Sequence, residues 1–264
     1  MKFVDTDIDI IWETPLVIWA LFDDGNSSYQ KAITKNFNQD EQKQFIVVSI
    51  GIKDSKDINF VQNENSIYKQ IDLSLTNPNL FEQLKQLSWS KADCNGIMFK
   101  ELNLEKTITD EDTSIWKIRN KRYYDEYNKH CKPNKKRWFV QKEISRLLGV
   151  STIGATIAII NFFKPKIWVI ENPATSKTWE FQKKHWNFNG FHNLTYYYNY
   201  DVNYSKKPTI FKSNIKMNLL KKNLNSNFNK NHCAKGSYDK RSSIPEDLIV
   251  HIVEEMKYQY FRVF

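Results

Sequence analysis

Cysteine is scarce in this chain: Cys94, Cys131 and Cys233 are an odd set without paired spacing. That excludes a disulfide framework and fits a reducing compartment, so a cytoplasmic location is expected. Cys131 and Cys233 each follow a histidine, His130 and His232, yet neither pair has the CxxC or HxxxH spacing of a zinc site, and no metal is expected. Glycine and proline number only seven each, which excludes collagen-like and low-complexity classes. Long apolar runs are also missing. The best, residues 150–163, falls short of the roughly 20 residues that span a bilayer and reads as a buried helix. The opening MKFVDTDIDI carries acids where a secretory leader is basic and then apolar, so neither a signal peptide nor a membrane partner is expected.

What is present is a globular composition, 41% apolar and 14% aromatic, over 264 residues. That suits one large α/β domain spanning 1–264, expected as a monomer. A formal charge of +9 favours a polyanionic partner, although Lys- and Asn-rich coding from AT-rich DNA produces the same balance.

Periodicity gives the order of elements. Residues 16–22 (LVIWALF) form an uninterrupted apolar run of the kind that is covered on both faces of a parallel sheet. The polar loop 23–28 follows, then helical spacing over 29–37, with Ser27 or Ser28 as a cap whose neighbouring amides could receive an anion. Residues 45–52 read as a second buried strand, 68–73 as a weaker third, and 80–87 as an amphipathic helix. Residues 140–148 and 151–163 read as two helical elements. They lead into Ile167–Ile170, a β-branched and aromatic strand. Residues 194–200 and 208–212 read as antiparallel strands and 248–256 as a closing helix with Ser243 as a cap.

The informative stretch is KIWVIENPATSKTW, residues 166–179. The strand is expected to stop at Glu171-Asn172-Pro173, because Pro173 cannot donate to a ladder and pushes Asn172 out of helical geometry. A carboxylate at the carboxyl end of a strand sits where open α/β sheets hold ligands. A turn that happens to contain Glu and Asn accounts for the tripeptide equally well on its own.

The tripeptide resembles the Glu-Asn-Val or Glu-Asn-Pro motif of cytosine-5 DNA methyltransferases, particularly the short single-domain versions of phages and mobile elements. That resemblance implies a mostly parallel, class I methyltransferase-like Rossmann sheet. It implies Glu171, Asn172 and Pro173 at the catalytic site, with Glu171 holding an extruded cytosine. It implies S-adenosylmethionine as cofactor, near Phe22, Asp23 and Gly25 of the first loop, Asp72 after the third strand, and Ser242, Ser243 and Pro245 before the last helix. Lys207-Pro208-Thr209 matches a segment that lies beside the target base in the family.

Departures accompany the match. The first loop has a single glycine, and the second strand closes on Ser49-Ile50-Gly51 without the ribose-binding acid. The family's Pro-Cys loop, whose thiolate attacks cytosine, is missing, and so, on this reading, is the strand that carries it. Cys94 follows Asp93, whose charge disfavours a thiolate, and is a poor substitute. Residues 97–139 read as a basic and aromatic insertion, with Lys135, Lys136 and Arg137 as DNA contacts alongside Lys207 and Thr209. A solvated charged insertion is the alternative. Residues 213–239, rich in Lys and Asn, read as a mobile basic loop. The expectation is a DNA methyltransferase-like protein with reduced or no activity, or a non-catalytic DNA-binding remnant of one.

Overall fold

A computed structural model of the chain describes residues 15–55, 65–87, 96–100, 118–204, 206–221 and 243–263. It contains a seven-stranded sheet made of β1 (Leu16–Leu21), β2 (Phe45–Gly51), β3 (Ser66–Gln70), β4 (Gly96–Lys100), β5 (Ile167–Pro173), β6 (Phe191–Tyr196) and β7 (Pro208–Ser213), in the order β3-β2-β1-β4-β5-β7-β6. The first five strands run parallel, and β7 lies antiparallel between β5 and β6. The fold is therefore mixed α/β and Rossmann-like, with the order 3-2-1-4-5 of dinucleotide-binding sheets over its parallel part.

β1 is buried at every position, as a central parallel strand must be. Leu16, Ile18 and Ala20 face one layer, with Tyr29, Ala32 and Ile33 of α1 (Ser28–Asn36) and Leu248, Ile252 and Met256 of the closing helix α7 (Glu246–Val263). Val17, Trp19 and Leu21 face the other. There they meet Leu80 and Leu84 of α3 (Leu80–Leu87), Ala155, Ile159 and Ile160 of α5 (Phe139–Phe163) and Trp179 of α6 (Thr178–Trp186). The short α2 (Gln39–Gln42) closes on a capping box from Asn38 and Glu41. Glu246 at the start of α7 accepts from Lys35 and Asn36, joining α7 to the end of α1.

Several expectations change. The strand thought to be missing is present: β4 pairs with both β1 and β5, so residues 97–100 are a central strand of the sheet and not insertion. A five-residue run carries too weak a pattern to stand out among charged neighbours. β5 does not stop at Glu171. It runs through Pro173, because β7 supplies antiparallel partners, Phe211 to Glu171 and Thr209 to Pro173. β3 lies two residues earlier than its pattern, and β6 starts earlier and ends in a 3-10 turn over Tyr197–Asn199. The segment 213–221 is not a loose loop. Ile215, Met217 and Leu219 are buried in the α1/α7 core, while residues 222–239 lie outside the described residues.

The two helical elements expected around Gly149 are one helix of 25 residues, about 37 Å long at 1.5 Å per residue. Gly149 is buried within it, Ala155, Ile159 and Ile160 lie on the sheet, and Ile153 and Ile157 pack on Phe181 of α6. Its length and hydropathy would suffice to cross a membrane, but half of its most apolar window is buried within the protein. At residue 151 the helix passes the rim of the sheet, where the Ser151 hydroxyl accepts from Leu75 in the loop after β3. Residues 139–150 continue the helix for about 18 Å past that contact. There they meet α4 (Lys121–Lys129) and the 3-10 turn Pro133–Lys135, with Tyr124 packed against Phe139.

Candidate ligand site at the carboxyl rim

Alternation along β5 places Glu171 on the face shared by Ile167 and Val169, under α1 and α7. Glu171 is only 3% exposed. Its Oε1 accepts from the Tyr197 hydroxyl at 3.0 Å and lies 3.7 Å from Lys207 Nζ. Lys207 in turn stands 4.9 Å from the centre of the Tyr197 ring. Burial first, and then the charge of Glu171, hold the Tyr197 pKa well above its ordinary value, so this phenol is a donor at any physiological pH. Thr209, fully buried on β7, completes the group. Lys207 and Thr209 thus belong with Glu171 and not with the basic surface around Lys135, Lys136 and Arg137. Asn172 is fully buried, and the Pro173 carbonyl accepts from Trp179 Nε1 at 3.1 Å.

The β1 loop forms the second wall. Phe22 has φ 57° and Gly25 φ 92°. A left-handed phenylalanine costs roughly 1–2 kcal/mol and persists only where its surroundings impose it. The imposition is visible: Asp23 N donates to Ile50 O, and a Cβ placed on Gly51 would stand 2.1 Å from Asp23 O. Asp23 Oδ1 accepts from the amides of Gly25 (2.7 Å) and Ser27 (3.1 Å), so this acid shapes its own loop. Ser27 precedes α1 in a left-handed conformation and makes no side-chain cap. Its hydroxyl is buried, and like those of Tyr29 and Ser49 it has no hydrogen-bond partner among the described residues. Burial, followed by Glu171 and Asp23, raises the Tyr29 pKa well above its ordinary value, so this phenol senses both walls of the site. Buried hydroxyls in this state mark room for water or a ligand.

Further along the rim, Asp72 accepts from Ser74 N at 3.0 Å through one oxygen. Burial and the charges of Asp23, Asp24 and Asp54 push the Tyr68 pKa up to about 12. Pro245 caps α7 through its carbonyl, which accepts from Leu248 and Ile249. Ser243 Oγ is 3.4 Å from the Tyr204 hydroxyl, and the Tyr204 ring stands edge-on to Tyr197 at 6.1 Å. The segment before α7 therefore reaches Glu171 through two tyrosines. Ser242 and Cys94 lie outside the described residues. Tyr29, Tyr68, Asp54 and Tyr197 were not singled out from sequence, because no fixed spacing relates them to Glu171. The Tyr-rich run at residues 196–198 was the nearest signal.

For S-adenosylmethionine the fit is uneven. The free amino end of the nine-residue α1, with the buried Ser27 and Tyr29 hydroxyls, suits an amino-acid group. At the ribose end β2 offers only the buried Ser49 and Gly51, and the nearest acid, Asp54, lies three residues past the strand. Among the described residues no three His, Cys, Asp or Glu side chains gather as metal ligands. No protein-family model matches the chain, and no curated protein is detectably similar to it in sequence.

Proposed function

We propose that this chain is a DNA-binding protein on a class I methyltransferase-like scaffold, related to cytosine-5 DNA methyltransferases, with methyl transfer to cytosine reduced or lost. The observation that carries the reading is Glu171-Asn172-Pro173 at the carboxyl end of β5, beside the end of β4, in a mostly parallel sheet whose first loop is strained and glycine-supported. When bound, S-adenosylmethionine would supply the methyl group. Ser27, Tyr29 and the α1 amides would hold its amino-acid end, and Asp72 its far end.

What the chain lacks is the nucleophile. Attack on cytosine needs a thiolate near the ring, and β4 runs out beside Glu171 into Glu101-Leu102-Asn103, with no cysteine before Cys131. Glu171 is also covered, so capture of a base requires the partly exposed Lys207 to swing aside. That coverage favours, as a second reading, a remnant that binds DNA and ignores the cofactor.

A radiolabelled methyl-transfer assay on unmethylated DNA should give no robust turnover, and turnover abolished by Cys94→Ala would overturn the reading. Calorimetry with S-adenosylmethionine separates the two versions: heat lost in Tyr29→Phe supports a retained cofactor site, and no heat supports the remnant.

A further inference from the structure

The projecting half of α5 and the elements joined to it hold most of the net charge. Residues 118–148 contain ten Lys and Arg against three Asp and Glu, so seven of the nine net charges lie in about an eighth of the chain. This arm begins where α5 passes the loop after β3, at the Ser151–Leu75 hydrogen bond. Its cations are held in place. The Arg137 guanidinium lies 5.2 Å from the Tyr127 ring centre and that of Arg119 3.9 Å from Tyr123, and the two tyrosines stack at 6.2 Å.

Next in sequence is Trp138, 53% exposed, with an extended backbone just ahead of α5. Its position is fixed by an otherwise unexplained buried side chain. Asn128 donates to Arg137 O at 2.7 Å and accepts from Arg137 N at 2.8 Å, pinning the residue before the indole from both sides. An exposed indole costs water-ordering and gains nothing for the core, and Lys135, Lys136 and Arg137 stand immediately before it. Val140 and Ile144, also exposed, continue the apolar surface along α5.

We infer that Trp138 is a base-stacking wedge on a nucleic-acid-binding arm formed by α4, the 3-10 turn and the free half of α5. The arm's ligand is DNA with an unstacked or extruded base. Phosphates meet the lysines and arginines, which supply affinity without sequence preference. The indole stacks on a base or fills the gap that an extruded base leaves, as apolar wedges do in kinked duplexes. The Asn128 clamp means that little order is lost on binding. This inference rests on the DNA-binding part of the proposed function and assigns it a surface and a contact.

The test is fluorescence anisotropy with a labelled duplex, the same duplex carrying one mismatch, and a single strand, with 2-aminopurine at the mismatch reporting unstacking. Wild type should bind all three with affinity that falls steeply as salt rises. Lys135→Ala/Lys136→Ala should weaken all three alike and lower the log–log salt slope by about two. Trp138→Ala, whose fold circular dichroism checks, should bind the mismatched duplex and the single strand roughly tenfold more weakly. It should also lose the 2-aminopurine rise, and Trp138→Phe should keep most of it. If wild type binds DNA and Trp138→Ala behaves identically, the wedge is overturned and the DNA reading stands. If wild type binds none of the three at low salt, both fall. If Trp138→Ala instead dissociates an oligomer seen by sedimentation, the surface joins protein copies and the wedge is again overturned.

Discussion

Glu171 carries most of the interpretation, and its surroundings decide how it behaves. A carboxylate at 3% exposure is tolerable only because Tyr197 donates to it and Lys207 offsets its charge. Tyr197→Phe should therefore destabilise the protein by about 1–3 kcal/mol, since one buried acceptor loses its donor. Chemical denaturation measures this, and a change within error would show that water replaces the phenol. The raised pKa values of the two buried tyrosines that feel Glu171, Tyr29 and Tyr197, carry a sign. The unfolded phenols ionise near pH 10 while the folded ones stay protonated, so the unfolded state binds fewer protons and stability falls as pH rises. Between about pH 9 and pH 11 the loss should be steep in wild type and flatter in Tyr29→Phe/Tyr197→Phe.

Among the elements, the β1 loop and the α4–α5 arm are the least forgiving. The backbone of Asp23 approaches Gly51 so closely that Gly51→Ala forces the loop outward. A cost of about 1–3 kcal/mol is expected, with any S-adenosylmethionine affinity falling alongside it, read by thermal melting and calorimetry. Asn128→Ala removes two hydrogen bonds that join α4 to the start of α5. Limited proteolysis should then cut within residues 129–138 faster than in wild type, while the sheet's melting changes by no more than about 2 kcal/mol. A loss of the whole fold would instead make the arm part of the core.

At the scale of the whole molecule, the sheet holds a buried acid with its phenols, and the arm holds exposed cations. On the proposed function, the arm's cations meet the anionic backbone of DNA. Mixing the protein with duplex DNA at rising salt should show affinity falling linearly on a log–log plot. Flat salt dependence would remove the polyanion from the account.

Much of this was legible from sequence, because β1, β2 and β5 are continuous β-branched and aromatic runs, and the turns between them are polar. Glu171 was found for the same reason, as an acid where such a run gives way to proline. β4 was missed because five residues with one glycine and one lysine hold no period, and their place in the sheet is set by pairing with β1 and β5. Only the resemblance set Lys207 and Thr209 beside the base held by Glu171, since nothing local reveals that β7 folds back against β5.

The sequence by itself determined much of the order of elements, the net charge, the three widely spaced cysteines and the acid beside Asn172-Pro173. Those properties depend on residue type and on spacing within a few turns. Only the tertiary structure decided that β5 runs on past Glu171, that Tyr29 and Tyr197 lie on the acid's side of the sheet, and that Asn128 clamps the backbone ahead of an exposed indole. Each of these depends on which distant segments share a layer, and that is set by burial and pairing across the sheet, which no local pattern encodes.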